Sequence, residues 1–450
     1  MHRKSFLQTL LLVFVLSVFA QGAKAEELRL AAFDVDATPP VGSELAYQTM
    51  TSDSPLSLRA RGIVLLGAGK PIVLCAIDWI GIGNEGQDAF KAAMAEAAGT
   101  SPDRVEVHTV HQHDAPICDF TAERILREKG INLYGFDGTF ARKVIQDLQQ
   151  SICLALPNAR KVTDIGLGKA DVRKVASNRL IQMKDGTWAT RYSSEPKRKE
   201  FRKAPEGLVD REVSLLSFWD GDQPLAVLSF YATHPQSYYL TGVANPDFPG
   251  VARFFRDLEV PDVLHVHFNG AGGNIAAGKY NNGSHRNRLI LAQRLAKGMA
   301  KAWKDSQKYS VTSEDIRWKT IPMLLPYQED VMKMGDKLDL MSRNVLANSV
   351  GRLGWVQRRK DGRTVQAACL SVGERASILF MPGELFVEYQ LAAKRMAPDK
   401  FVALAAYGDY GPFYIGTKKA YRIGGYETES SPVTPEVEDY IHHILEELLK

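Results

Sequence analysis

Hydrophobic positions along the chain fall into two kinds of run, short ones of strand length and longer ones with helical spacing. Short apolar or alternating runs predict strands at 60–69, 71–78, 103–111, 212–220, 224–234, 263–270 and 376–384. Apolar residues three and four apart predict helices at 86–99, 139–156 and 287–304, and another over 385–396. Two of the strands form a predicted hairpin around Gly221 and Asp222. This alternation predicts an α/β (α+β) fold, a mixed β-sheet with flanking helices. No repeat, low-complexity tract or linker interrupts the pattern, so we expect one catalytic domain over 26–450.

The first residues form a different pattern. Arg3 and Lys4 precede an apolar run at 6–20, and small residues surround Lys24. The apolar run is shorter than a membrane span, and a small-x-small cleavage site follows it. The pattern predicts a secretory signal peptide over 1–25, cut after Ala25, and a secreted or periplasmic protein. We expect no transmembrane segment after cleavage.

Net charge bears on which partners the protein can bind, and the cysteines bear on zinc sites and disulfides. The formal net charge of the chain is +4, and removal of 1–25 leaves 53 basic against 52 acidic residues. Nothing in the charge of a near-neutral mature protein points to nucleic acid or an anionic membrane as a partner, and a small-molecule or lipid substrate is compatible with it. The cysteines fit no zinc-finger spacing, and an exported protein can hold a disulfide. Cys75 and Cys153 are predicted to be buried thiols.

Candidate metal ligands follow several of the predicted strands. His111 and His113 are two residues apart, so on extended chain they point to the same side, whereas His108 is out of phase and is expected to pack or support. His234 ends a strand, and Glu384 follows a Pro-Gly turn. Taken singly, these residues also fit a hydrogen-bonded histidine pair, a structural histidine and a first-turn helix acid. Together they match the ligand set of a catalytic zinc site with an open position.

Six short motifs, in order along the chain, resemble those of the neutral/alkaline non-lysosomal ceramidase family. "HQHDAP" (111–116) resembles H-T-H-S-G-P, and "SNRL" (177–180) resembles N-R-S. "ATHPQS" (232–237) resembles H-P-T-S, "NPDFPG" (245–250) resembles D-Y-P-G, and "MPGE" (381–384) resembles P-G-E. The tail "YIGTKKAYRIGGYE" (414–427) carries tyrosines at the seven- and five-residue spacings of the family's Y-x-T-T-x-E-E-Y-x-x-Q-x-Y-E.

The resemblance implies a ceramidase-like fold and a zinc amidase site with assigned residues. The implied zinc ligands are His111, His234, Glu384 and Tyr414. The implied catalytic residues are His113 as acid/base beside the metal, Tyr426 as a donor to the developing oxyanion, and Arg179 in the cleft. Asp78, at a strand end, is a candidate to orient a ligating histidine, although a strand-end acid also fits a simple turn. A phenol is an unusual zinc ligand, and Tyr414 also fits a packed tyrosine in a loop that we expect to be too glycine-rich for a helix.

The chain departs from the family at positions expected to contact the substrate. Ala276 stands where the family has a substrate-contacting serine, and Asp114 replaces the serine of H-T-H-S-G-P. Lys419 and Ala420 replace two glutamates of the tail. The chain also ends at Lys450, before the immunoglobulin-like C-terminal domain that the family carries.

These observations predict an exported zinc-dependent amidohydrolase that cleaves the amide bond of ceramide or a related N-acyl compound, using water activated by Zn²⁺. The alternative is a zinc-dependent esterase, lactonase or deacylase acting on an acylated sugar or another small molecule, which the departures at the substrate-reading positions favour. A third possibility is a binding module that has kept the fold without catalysis. Since all the implied ligands are present, the sequence favours an enzyme.

Overall fold

The computed structural model describes residues 26–450, so the predicted signal peptide lies outside the described residues. The strands of this part, in chain order, are β1 Arg29–Asp36, β2 Arg59–Gly67, β3 Gly69–Ile77, β4 Gly81–Ile82, β5 Val105–Thr109, β6 Ile117–Cys118, β7 Arg160–Lys161, β8 Asp164–Asp171, β9 Ser177–Asn178, β10 Leu180–Gln182, β11 Trp188–Thr190, β12 Glu212–Asp220, β13 Gln223–Tyr231, β14 Leu264–Asn269, β15 Ile275–Ala276, β16 Gln307–Ser310, β17 Ile316–Met323, β18 Val365–Val372, β19 Ala376–Phe380, β20 Glu384–Leu385, β21 Phe401–Ala405 and β22 Tyr414–Ile415.

The α-helices range from one turn to more than five. They are α1 Glu85–Ala98, α2 Phe120–Glu128, α3 Thr139–Ala155, α4 Lys199–Lys203, α5 Asp247–Glu259, α6 His285–Lys304, α7 Arg343–Ala347, α8 Val350–Lys360, α9 Val387–Met396, α10 Lys418–Ile423, α11 Tyr426–Glu429 and α12 Val437–Leu449. In the long helices, apolar residues four apart form the buried face, as Val144, Leu148 and Ile152 do in α3. No helix in the range 26–450 combines the length and apolar character that crossing a bilayer requires.

Three larger sheets make up the body of the molecule. The first sheet has the strand order β5-β3-β2-β1-β7, the second β14-β13-β12-β8-β16, and the third β17-β18-β19-β21. Most neighbours are antiparallel, but each sheet has one parallel pair: β3 with β5, β13 with β14, and β19 with β21. The predicted mixed α+β class is therefore confirmed, and β12 and β13 form the predicted hairpin.

The three sheets share one hydrophobic core. Ile63 and Leu74 from the first sheet, Leu228 from the second and Ile378 from the third belong to the same buried cluster, and each is fully buried. Burying a side chain of this size is worth about 1.5–3 kcal/mol. Helices cover the opposite faces: α1 and α3 pack on the first sheet, α5 and α6 on the second, and α9 and α12 on the third.

The strand ends explain where a site can form. In parallel pairs the carboxyl ends of both strands lie at the same edge, which is where α/β proteins place their ligands. His111 follows β5, His234 follows β13 and Glu384 follows β19. Asn269, at the end of β14, joins two of these edges, because its Nδ2 donates to the Val110 carbonyl at 3.2 Å and its Oδ1 accepts from the Thr233 amide at 3.3 Å.

Two expectations about the chain are corrected. Cys153 is exposed, because it lies on the solvent side of α3, whereas Cys75 is buried as predicted. All four cysteines are free thiols in the described chain. The glycine-rich tail also contains helix: α10 forms because the Thr417 hydroxyl accepts a hydrogen bond from the Ala420 amide, which caps its first turn. The helix ends at Gly424, whose φ of 81° needs a glycine.

Candidate metal centre

Three histidines converge at the carboxyl ends of the strands. His111 has a φ of 74°, a strained conformation for a non-glycine residue that is typical of functional sites. Its amide donates to the Trp79 carbonyl at 2.9 Å, and its ring Nδ1 lies 2.6 Å from the Ile80 carbonyl. Since a carbonyl only accepts, Nδ1 carries the proton and Nε2 presents a lone pair. A backbone carbonyl that fixes the tautomer in this way is usual for metal-ligating histidines.

The ring nitrogens are close enough to share one ion. His234 Nε2 lies 3.2 Å from His111 Nε2 and 3.0 Å from His113 Nε2. Each of the three histidines offers a nitrogen within 4.8 Å of the others. Two ligands of a tetrahedral zinc at about 2.1 Å from the ion lie about 3.4 Å apart. The observed spacing fits this geometry. The His113 ring nitrogen lies as near to His234 as the His111 ring nitrogen does, so the distances do not separate a metal ligand from an acid/base. The assignment of His113 as the acid/base beside the metal therefore stays a prediction.

Glu384 adds a buried carboxylate to the histidines. Its Oε1 accepts a hydrogen bond from the Tyr410 hydroxyl at 3.0 Å, and its Oε2 lies 3.4 Å from His111 Nε2 and 3.8 Å from His234 Nδ1. Oε2 has no hydrogen-bond partner in the described range. Burial raises the pKa of Glu384 to about 8, although the positive charge of Arg179 and the neighbouring hydroxyls oppose the shift.

The histidines are held in the uncharged state. Burial lowers the pKa of His111 to about 3 and moves the pKa values of His113 and His234 well below the usual range, and Arg179 adds to the effect. Neutral imidazole is the form that binds a metal. Buried acceptors without donors are costly, and a cation between them would remove that cost. Nitrogen and carboxylate donors at these distances fit zinc.

Arg179 and two tyrosines lie beside this cluster. The Arg179 guanidinium is buried, pairs with Glu427 at 2.7 Å and donates to the Tyr414 hydroxyl at 3.4 Å. Burial lowers the pKa of Arg179, but Glu427 more than offsets this, so the guanidinium stays charged. Tyr414 is 4% exposed and pairs through the backbone with Glu384. Burial moves the pKa of Tyr414 well above its usual range.

Tyr426 lies next to Tyr414 at the rim. The two ring centroids are 5.9 Å apart and nearly perpendicular, and the Arg179 guanidinium lies 5.4 Å from the centroid of the Tyr426 ring. Tyr426 is 38% exposed, so its side chain is partly open to solvent. The tail thus brings both predicted tyrosines to one place, with Gly424 and Gly425 at positive φ between α10 and α11.

Other predicted residues have different partners from those expected. Among residues 26–450, Asp78 forms no hydrogen bond with a histidine: Arg253 donates to it at 2.8 and 2.5 Å, and Gln112 donates at 3.2 Å. Arg253 fixes the Asp78 carboxylate. Asp78 in turn holds Gln112, the residue between the two histidines of the "HQH" motif. His108 supports the site as expected, since its Nδ1 donates to the Ala406 carbonyl at 2.7 Å.

The sequence reasoning missed several aromatic residues around the cluster. Tyr407 stacks on His111 with centroids 4.5 Å apart, and Tyr410 binds Glu384. Tyr47 and Tyr239 lie against His113, at centroid distances of 5.8 and 5.4 Å. Tyr407 and Tyr410 lie just before the tail segment 414–427, but no spacing in the sequence connects Tyr47 or Tyr239 with the histidines.

Ala276, which stands where the family has a substrate-contacting serine, lies next to the site. It is 1% exposed, and its backbone pairs with that of His234. Ser177, one strand away, donates its hydroxyl to the Ala276 carbonyl at 2.8 Å. The chain thus keeps the backbone framework here while offering a methyl group in place of the hydroxyl that the resemblance implies.

Comparison with known proteins finds likeness in structure alone. No family model matches the sequence, and no curated protein matches it significantly. The crystal structure of neutral ceramidase from Pseudomonas aeruginosa superposes with a TM-score of 0.67 at 14% identity, covering 95% of this chain and 74% of that one. A ceramidase complexed with C2 gives the same TM-score and identity, covering 94% and 75%. The chain therefore has the fold of bacterial neutral ceramidase.

Proposed function

We propose that this protein is an exported zinc-dependent amidohydrolase that cleaves the amide bond of ceramide or a related N-acyl compound. One observation carries the proposal. The buried ring nitrogens of His111, His113 and His234 and the unpartnered Glu384 Oε2 converge beside Arg179, in a fold shared with neutral ceramidase. Zinc bound there would polarise a carbonyl and lower the pKa of water.

Each residue has a part in this proposal. His111, His234, Glu384 and Tyr414 would hold the metal. His113, which is less buried than His111 and His234, would take a proton from water and give one to the leaving amine. Tyr426 and the Arg179 guanidinium would donate to the oxygen on which negative charge develops. Arg179 suits this role because Glu427 fixes it from one side at 2.7 Å and leaves another part of the guanidinium facing Tyr414.

A cavity beside this site supports a substrate with an apolar part. It has a volume of about 400 Å³, and Glu427, the partner of Arg179, lies in its wall. Its apolar lining comes from Leu180, Ile181, Trp188, Leu208 and Phe386. Several polar residues of the wall are already engaged: Asn178 donates to the Leu208 carbonyl at 3.0 Å, and Asn274 donates to Glu388 at 2.8 Å.

The test measures hydrolysis by the purified protein of N-acylsphingosines, N-acyl amino acids, simple esters and acetylated sugars. We expect turnover of at least one N-acyl compound, its loss on chelation, and its recovery with one equivalent of Zn²⁺ per chain. His234→Ala serves as the metal-free control. Faster turnover of esters or acetylated sugars than of every amide would replace the amidase proposal with the esterase or deacylase alternative. Turnover that is unaffected by chelation would refute the zinc site.

Export is tested separately. If the signal peptide is cut after Ala25, protein recovered from outside the cytoplasm should begin at Glu26. An intact Met1 in the active protein would contradict this part of the proposal and would leave the chemistry of the site untouched.

A further inference from the structure

Asp114 joins two loops that lie against the histidine cluster. One carboxylate oxygen accepts from Gln48 Nε2 at 2.9 Å and from the Leu240 amide at 2.8 Å, and the other accepts from the Thr241 hydroxyl at 2.8 Å. Asp114 is 3% exposed, and Leu240 has a strained φ of 64°. A buried carboxylate with three donors rigidly fixes the segments that supply them.

Each of the two loops carries a tyrosine that packs on His113. Tyr47, next to Gln48, stacks on the His113 ring with centroids 5.8 Å apart and planes 21° apart. Tyr239, next to Leu240, meets the same ring edge-on at 5.4 Å. The two tyrosines also contact each other at 5.8 Å. The Tyr47 hydroxyl donates to Asn348 at 3.3 Å, which anchors the first ring at its far end.

His113 depends on these rings for its orientation. The Ile80 carbonyl binds His111 through Nδ1, but His113 Nδ1 is buried and has no hydrogen-bond partner in residues 26–450. Its Nε2 has one partner within hydrogen-bond distance in the same range, His234 Nε2 at 3.0 Å. With no donor or acceptor on Nδ1, packing determines how the ring lies: the His111 and His234 rings contact it at centroid distances of 5.1 and 5.0 Å, and the two tyrosines pack on it from the two loops.

We propose that Asp114 and Tyr47 are positioning residues for His113, and that the ring pair Tyr47–Tyr239 aligns its imidazole for proton transfer. The proposal rests on the proposed function, because it gives His113 the proton-transfer role. It also explains why Asp114 stands where the family motif H-T-H-S-G-P has a serine. A serine hydroxyl cannot accept three hydrogen bonds from two separate loops, whereas a carboxylate can.

Misplacement of a catalytic group by about 1 Å costs roughly 10²-fold in rate. Tyr47→Leu and Asp114→Ser should therefore lower kcat by about 10- to 100-fold, with KM changed less than about threefold and zinc content unchanged. Asp114→Asn keeps the oxygen that accepts from Gln48 and Leu240 and loses the bond from Thr241, so it should recover most of kcat. Tyr238→Leu is the matched control, because Tyr238 stacks on a different histidine, His285, at 4.4 Å.

Two further measurements separate positioning from a general structural role. In the background of His113→Ala, Tyr47→Leu should cause little further loss of kcat, because the ring that it positions is absent. In the zinc-loaded protein labelled with ¹⁵N-histidine, Tyr47→Leu should shift or broaden the His113 ring resonances and leave those of His111 and His234 in place. The NMR measurement needs no substrate, so it tests the positioning role even if every amide in the hydrolysis panel is inert.

The proposal is overturned if Tyr47→Leu lowers kcat equally with and without His113, or if Asp114→Asn is as impaired as Asp114→Ser. It is also overturned if the His113 resonances are the same in wild type and Tyr47→Leu. Loss of zinc from either variant would assign these residues to the metal site instead.

Discussion

Replacement of Tyr414 and Tyr426 by phenylalanine tests whether the first tyrosine binds zinc and the second donates to the oxyanion. Both changes remove one hydroxyl and keep the ring. If Tyr414 binds zinc, Tyr414→Phe should weaken metal affinity, because one oxygen ligand is lost. If Tyr426 donates only to the oxyanion, Tyr426→Phe should keep full zinc content and lose rate.

The structure determines how large each effect should be. Loss of one oxyanion donor costs about 10²–10³ in rate. Tyr426 is 38% exposed, so water can partly replace its hydroxyl, and we expect a loss near 10²-fold. Tyr414→Phe takes from Arg179 an acceptor at a long 3.4 Å, which should cost about 1 kcal/mol in the metal-free protein. For a described chain of about 425 residues, this lowers Tm by about 1 °C.

The assays are zinc content after dialysis, Tm of the metal-free protein, and turnover of the best substrate. Tyr421→Phe is the control within the same segment, because the Tyr421 hydroxyl bonds to Ser431 at 2.7 Å and to the Val433 carbonyl at 2.9 Å. Wild-type turnover in Tyr426→Phe would refute its role as an oxyanion donor. Wild-type zinc affinity in Tyr414→Phe would show that the phenol packs beside Glu384 without binding metal.

Three more predictions concern the ligands, a buried ion pair and pH. His234→Ala should lose both zinc and activity, whereas His113→Ala should keep zinc and lose about two to four decades in rate; metal analysis showing the reverse would exchange their roles. Arg253→Met leaves the Asp78 carboxylate buried without its partner, so Tm should fall by about 3–5 °C. Burial raises the pKa of Asp78, but the charge and hydrogen bonds of Arg253 more than offset this, so the net pKa is lowered. The stabilisation from the pair therefore exists above about pH 4 and is lost in acid. A Tm deficit of Arg253→Met that is independent of pH would contradict this account. Burial raises the pKa of Asp409 to about 6, so its contribution to stability is present below about pH 4 and is lost as pH rises through 6. Asp409→Asn keeps both hydrogen bonds to Oδ1, so it should gain more Tm over wild type at pH 7.5 than at pH 4.5, and an equal difference at both values would refute the assignment.

The period of the hydrophobic pattern was enough to predict most elements. The run at 60–69 corresponds to β2, the run at 139–156 to α3, and the apolar segment after Glu384 to α9. These elements bury one face each, so their sequence repeats with the period of the structure. The helix α10 was missed because a single cap and a terminating glycine, rather than an apolar face, determine it.

The site was only partly predictable for a related reason. His111, His234 and Glu384 each stand where a strand ends, and that position can be read locally. The contacts of Asp78 with Arg253 and of Tyr47 with His113 join segments 175 and 66 residues apart, and nothing in the spacing of either pair indicates the contact. Residues that hold the site in place are therefore harder to find from sequence than residues that line it.

Charge balance at the site connects these observations with the proposed chemistry. Arg179 is paired with Glu427, and burial moves the pKa of Tyr414 well above its usual range. Within residues 26–450, Glu384 is the carboxylate that lies against the imidazole cluster, at 3.4 Å from His111 and 3.8 Å from His234. Burial raises the pKa of Glu384 to about 8, but a divalent cation held there would favour its ionised form and would leave the centre with one net positive charge, which in a buried environment favours negative charge placed next to it. An amide substrate is neutral, and its carbonyl oxygen becomes negative only as the carbon is attacked. If the proposed function holds, a centre with this charge would therefore bind the transition state more tightly than the substrate, as catalysis requires.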